Sequence, residues 1–159
     1  MENILEKESV KRVIKFLNDF DANLKVKVLE SSAKTAKDAA LSLNCEVGAI
    51  VKSLLLRADN CFILCLVSGD KRCSLKKIKK IINIKDVSMA KANQVKSETG
   101  FSIGGVSPIA HLKKIQILID SSLSRFEYVY AAAGHPNSIF KTTYKQLVNI
   151  TNGKEEDIV

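Results

Sequence analysis

A chain of 159 residues, 46% hydrophobic and 26% charged, is long enough for one domain with its own core and has the composition of an ordinary globular protein. No apolar run approaches the roughly 20 residues that cross a bilayer, and the polar start through Glu8 excludes a signal or transit peptide, so a cytoplasmic address is expected. A formal charge of +8 and a pI near 9.3 suit a polyanionic partner, nucleic acid being the commonest case.

The predicted elements alternate in type. Ser9 to Phe20 reads as an amphipathic helix, with Ser9 as its cap and Val10, Val13, Ile14, Leu17 and Phe20 on one face. Leu24 to Leu29 alternates like a half-buried strand. A short alanine-rich helix follows from Thr35 to Leu43, capped by Ser32 or Thr35. Ala49 to Arg57 and Cys61 to Ser68 are apolar strands joined by a turn at Ala58-Asp59-Asn60. Ser74 to Ile82 is a helix with Leu75, Ile78, Ile81 and Ile82 inward and lysines outward. Ser88 to Glu98 reads as a further helix stopped by Gly100. Lys114 to Asp120, Phe126 to Ala131 and Ser138 to Lys141 read as strands. A last helix from Thr142 or Thr143 stops at Gly153. The expectation is a single α+β domain over 1–159, with an N-terminal helix and strand in 1–34 and a frayed tail at 154–159. No glycine motif sits between a first strand and its helix, which excludes a Rossmann fold.

Cys45, Cys61, Cys65 and Cys73 show no metal-ligand spacing and there are two histidines, so neither a metal nor a disulfide is expected. The charge excess gathers in Lys71, Arg72, Lys76, Lys77, Lys79, Lys80 and Lys85. That stretch is either a phosphate-binding surface or a solvated helix face.

Three places can carry chemistry. Lys52 lies in the apolar run Ala49 to Leu56, where it either faces water or meets an anion or carbonyl in a pocket. Ser53 beside it points to the opposite side of a regular strand. The loop Gly104-Gly105-Val106-Ser107-Pro108 either crosses between elements or presents successive N–H groups to an oxygen. It is not a Walker loop. Ser107 has no obvious base, so a Ser-His-Asp hydrolase is rejected. In Gly134-His135-Pro136, His135 is either a ligand-binding group or a polar turn residue. Asp120 either pairs with a lysine or ends its strand.

Five ordered motifs resemble the YbaK/prolyl-tRNA-synthetase-associated editing domain family: Val51-Lys52-Ser53-Leu54, Gly69-Asp70-Lys71-Arg72, Thr99-Gly100 leading to Gly104–Pro108, Ile119-Asp120-Ser121-Ser122-Leu123, and Ala132-Ala133-Gly134-His135-Pro136. The resemblance covers Thr35 to Gly153. It implies a mixed, curled sheet flanked by helices, no metal and no cofactor. It also implies an aminoacyl-tRNA deacylase that removes the amino acid from a mischarged tRNA, with an aminoacyl-tRNA synthetase as a candidate partner.

By this resemblance Lys52 is the catalytic residue, and Ser53, Gly104, Gly105, Val106, Ser107, Pro108, Gly134 and His135 hold the substrate. Lys71, Arg72, Lys76, Lys77 and Lys80 would meet the tRNA backbone. The attacking group is left open among water, a substrate hydroxyl and a substrate thiol. Two departures stand out: Ser53 replaces the threonine of many members, and Ile109-Ala110 replaces a frequent Phe-Gly. The alternative is a non-catalytic module that senses aminoacyl-tRNA or a small aminoacyl-like ligand.

Overall fold

Two apolar runs form the central hairpin: β2 (Ile50–Ala58) and β3 (Cys61–Ser68). They pair antiparallel from Val51↔Ser68 to Ala58↔Cys61, around a turn where Asp59 takes φ 51°. The computed structural model describes residues 3–31 and 33–159; Ser32, one of the two cap candidates, lies outside them.

Seven strands lie side by side in the order β1-β7-β6-β2-β3-β5-β8, and β4 also pairs with β2. Next to β3, β5 (Gln116–Asp120) and then β8 (Lys154–Glu156) run parallel. On the other side, β6 (Val129–Ala132) runs parallel to β2. Then β7 (Ser138–Thr142) and β1 (Val26–Val28) continue antiparallel. The sheet is mixed, as expected, and its strand path is open from β1 to β8 rather than curled into closure.

The edge of β2 away from β3 is shared by two strands. β6 takes Ile50 and Val51, while β4 (Val87–Met89) takes Leu56 to Ala58. Between them, residues 52–55 have no strand partner on that edge.

The central strands are buried on both faces. Val51, Leu55, Leu64 and Leu66 share a core with Phe101, Val106 and Leu147, and with Val13 and Leu17 of α1 (Glu8–Phe20). Leu56, Ile63, Cys65 and Val67 share the other with Ile158 and with Ile78 of α3 (Leu75–Ile82). Each fully buried leucine contributes about 1.5–3 kcal/mol relative to exposure.

Helix boundaries follow their caps. Thr35 accepts Asp38 N–H at the start of α2 (Ala36–Leu43). Ser74 caps α3 through Lys77 N–H. Gly100, at φ 81°, ends α4 (Ala92–Thr99), and Thr143 with Gln146 forms the capping box of α5 (Tyr144–Thr151). No helix among the described residues is long and apolar enough to cross a membrane.

Several expectations are corrected. Lys7 occupies the N-cap position of α1 without a side-chain capping bond, and Ser9 lies inside the helix, where its Oγ donates to the Gly134 carbonyl at 2.8 Å. Ile14 and Phe20 are 36% and 44% exposed, so the buried stripe of α1 is narrower than its periodicity suggests. Val87–Met89 is a strand and not helix; the helix begins only at Ala92. Asn152, at φ 52°, closes α5 ahead of Gly153. The tail is not frayed: β8 pairs with β5, Ile158 is fully buried, and Ser74 N–H donates to its carbonyl. Backbone pairing and one apolar anchor hold a segment whose acidic side chains gave no sign of order.

Candidate active site

A cavity of about 440 Å³ occupies the gap beside β2. Its walls include Ile50 to Leu55 from β2, Ala131 and Ala132 from β6, and Met89 and Ala90 at the end of β4. Gly104 and Val106 form another part of the wall, with Pro136 beside Gly104. The cavity therefore stands where a continuous neighbouring strand would run.

Lys52 lines this space. Its register partner is Val67, which places it on the Leu54 and Leu56 side of β2. The ammonium donates to the Lys71 carbonyl at 2.5 Å. Of the two readings of Lys52, the structure gives the second: a half-buried lysine meeting a carbonyl at a cavity. Burial lowers its pKa, opposed by Cys73 and then by Asp70. The Cys73 thiol is in turn held below its ordinary range, mainly by a hydrogen bond with Cys65, with Lys52 adding to the effect.

The turn that supplies the Lys71 carbonyl is tied down. Arg125 Nη2 binds Asp70 Oδ1 at 2.8 Å and Ser68 Oγ at 2.9 Å. Asp70 is pushed down to about 2, chiefly by the Arg125 hydrogen bonds. Asp120, fully buried, accepts Ser68 N–H at 3.0 Å and Ser122 N–H at 2.9 Å. It ends β5 and starts the 3-10 turn Ser121–Arg125; its role is in the scaffold.

Ser53 lies on the other side of β2, as strand alternation requires, and also lines the cavity. Its Oγ is buried with no hydrogen-bond partner among the described residues.

The two glycine loops meet backbone to backbone. A Cβ on Gly105 would come within 2.9 Å of His135 Cα. A Cβ on Gly134, at φ 96°, would come within 2.6 Å of the Ser9 carbonyl oxygen. Both approaches need glycine. Gly104 is exposed at φ 93°.

The loop is less of a nest than the sequence suggests, because Gly105 N–H already donates to the Ser102 carbonyl. No acceptor among the described residues meets the N–H of Gly104 or Val106. Ser107 is fully buried and its carbonyl bonds the His111 ring at 2.7 Å, so it faces the core. Pro108 lines a separate groove with Ile109 and His111. Neither is part of the cavity wall, and Gly105, Gly134 and His135 support it from behind. His135 Nδ1 accepts Asn137 N–H at 3.0 Å.

Beyond Pro108, Ile109 is 2% exposed in the main core. Ala110 adopts φ 61°, a left-handed conformation that glycine takes without strain.

Lys71, Arg72, Lys76, Lys77 and Lys80 are all exposed. They run outward from the turn that holds Lys52. Lys77 is engaged by Asp157 at 2.9 Å and by the Val159 carbonyl, which leaves the other four as the more available cations.

Sequence reasoning missed Tyr130, Ala131, Ala132, Ile139 and the α2 side of the cavity, Ala36 and Ala39. The small size of the alanines is the only local signal. What recruits them is strand pairing across long sequence distances.

Comparisons with known proteins then identify the family. A family model described as the aminoacyl-tRNA editing domain matches residues 30–150. The chain is 31% identical over 147 residues to the YwhH protein of Bacillus subtilis (strain 168), covering 92% of this chain and 93% of that protein. It is 31% identical over 94 residues to the proline–tRNA ligase of Thermosipho africanus (strain TCF52B), which is 59% of this chain but only 17% of the ligase. A crystal structure described as a candidate trans-editing enzyme for prolyl tRNA synthetase superposes with a TM-score of 0.90 at 35% identity, covering 96% of this chain and 97% of that one. With a cavity at the expected lysine, both glycine loops beside it and a family match over most of its length, this chain belongs to the aminoacyl-tRNA editing domain family.

Proposed function

We propose that this chain is a trans-acting aminoacyl-tRNA deacylase that hydrolyses the ester joining a wrong amino acid to the 3′ end of a tRNA. One observation carries the reading: Lys52, held by the Lys71 carbonyl, lines a largely apolar cavity wide enough for an aminoacyl group with part of its nucleoside. Ester hydrolysis builds negative charge on the carbonyl oxygen. A lysine ammonium and the unengaged N–H groups of Gly104 and Val106 are cations and dipoles that can stabilise it.

Lys71, Arg72, Lys76 and Lys80 lead away from the cavity and suit the phosphates of a bound tRNA. Their contribution would weaken steeply with salt. The similarity to the named ligase and to the candidate trans-editing structure makes prolyl-tRNA synthetase the first synthetase to test as a partner.

Wild-type protein and Lys52→Ala are compared on a panel of mischarged tRNAs. Wild type is expected to release free amino acid from at least one, and Lys52→Ala to do so about 100- to 1,000-fold more slowly, the usual loss when one oxyanion-stabilising group is removed. Full activity in Lys52→Ala would refute the assignment. Retention of charged tRNA without release by the wild type would make the protein a sensor.

A further inference from the structure

The cavity replaces a short piece of strand, and that determines what it can read. In a β-strand the N–H and C=O of one residue point to the same edge, alternating from residue to residue. Ala90 N–H donates to the Leu55 carbonyl at 3.0 Å, so Leu55 presents its main chain to the β4 side. Ser53, two residues earlier, presents its own N–H and C=O to the same edge. There β6 has stopped at Val51 and β4 has not begun. Residues on both sides of the interruption, Ala131 and Ala132 as well as Met89 and Ala90, line the cavity. An unpaired main-chain donor and acceptor thus face an apolar space, and the Ser53 hydroxyl beside them is also without a partner among the described residues.

We propose that this interrupted edge is a main-chain subsite for the aminoacyl group, which pairs with Ser53 as a single residue of the missing strand would. The inference rests on the deacylase reading of the same cavity. An aminoacyl ester carries one α-ammonium and one carbonyl separated by a single carbon, the spacing of N–H and C=O in one strand residue. The ammonium donates to the Ser53 carbonyl and the ester carbonyl accepts the Ser53 N–H. A rotation of Ser53 about χ1 gives its hydroxyl a partner in the same ligand.

The pairing also fixes handedness. Directly opposed residues send their side chains to the same face, so an L-aminoacyl side chain lies on the Ser53 and Leu55 face. There Val95 and Val106 belong to both the cavity wall and the main core. Inverting the α-carbon with both polar groups held turns the side chain towards the Lys52 face.

The test uses three non-cleavable ligands: 3′-deoxyadenosine carrying a 3′-amide of L-alanine, of D-alanine, or of propionic acid, which has hydrogen in place of the amine. Alanine is chosen as the smallest chiral side chain. Calorimetric titration of the wild-type protein is expected to show the L-alanyl amide binding about 10- to 100-fold more tightly than the propionyl amide, the worth of a hydrogen bond to a charged group, and more tightly than the D-alanyl amide. Ser53→Ala should weaken the L-alanyl amide by several-fold, with restoration in Ser53→Thr. Equal affinity for the three amides, or no binding of any, overturns the subsite. The amine preference without amino-acid release from any mischarged tRNA upholds the subsite and refutes the deacylase reading. Release without the preference does the reverse.

Discussion

The two faces of β2 are built to opposite ends. On the Leu54 and Leu56 side, β2 is covered by α3 and the buried Ile158, and Lys52 is stitched to the Lys71 carbonyl. On the Ser53 and Leu55 side, the same strand borders a cavity framed by alanines, Val95 and the Gly104–Val106 loop. The first face is closed at Leu56 by α3 and holds the charge at Lys52, where it too reaches the cavity; the second holds most of the shape. The two faces meet at the cavity only because the neighbouring strands leave residues 52–54 uncovered at the edge.

The largest effect should come from cutting into the closed face. Leu56 is fully buried and does not line the cavity, so Leu56→Ala should cost about 2–5 kcal/mol in denaturant unfolding. If the faces are separable, kcat/KM measured well below the melting temperature stays unchanged. On the open side, Gly134→Ala forces a Cβ against the Ser9 carbonyl at a positive φ. A loss of about 1–3 kcal/mol is expected. It should come with reduced deacylation, because this loop backs the Gly104 wall; intact activity would show that the two loops are not coupled.

Acid tests the turn that serves Lys52. Asp70 has a folded pKa of about 2, below the usual carboxylate value, so the stabilisation from its Arg125 pair is present above about pH 4 and is lost as pH falls through about 2. Melting temperatures recorded from pH 5 downward should fall more steeply for wild type than for Asp70→Asn. Parallel curves would remove Asp70 from the account. The smallest effect belongs to Ala110, whose φ of 61° suits glycine. Relief of about 1–2 kcal/mol of left-handed strain, less the greater chain entropy of glycine, leaves Ala110→Gly about 0.5 kcal/mol more stable by thermal melting.

The parts of this architecture that were legible are those encoded locally. The apolar runs of β2 and β3, the Thr35 cap candidate, the helix starts near Ser74 and Thr143, and the Gly100 stop were legible because hydrophobic period and capping act over a few residues. β4 and β8 were not. Each has three residues and pairs with a strand far away in sequence, so partner geometry decides it and propensity does not. The site divided in the same way. Lys52, Gly104 and Gly134 stood out as residue types in unusual places. The inward turn of Ser107 depends on His111, and the alanine walls depend on sheet register.

The interruption beside β2 also bears on solubility. An unpaired strand edge in the middle of an apolar sheet is a template on which another chain can add. Here the bare stretch is only residues 52–54, bracketed at one end by β6 and at the other by β4 and the Ala90 bond to Leu55, whereas an ordinary strand needs about five or six residues in line. An invading strand would collide with both brackets before it could pair. The protein thus keeps hydrogen-bonding main chain open to a small molecule while denying it to a second polypeptide.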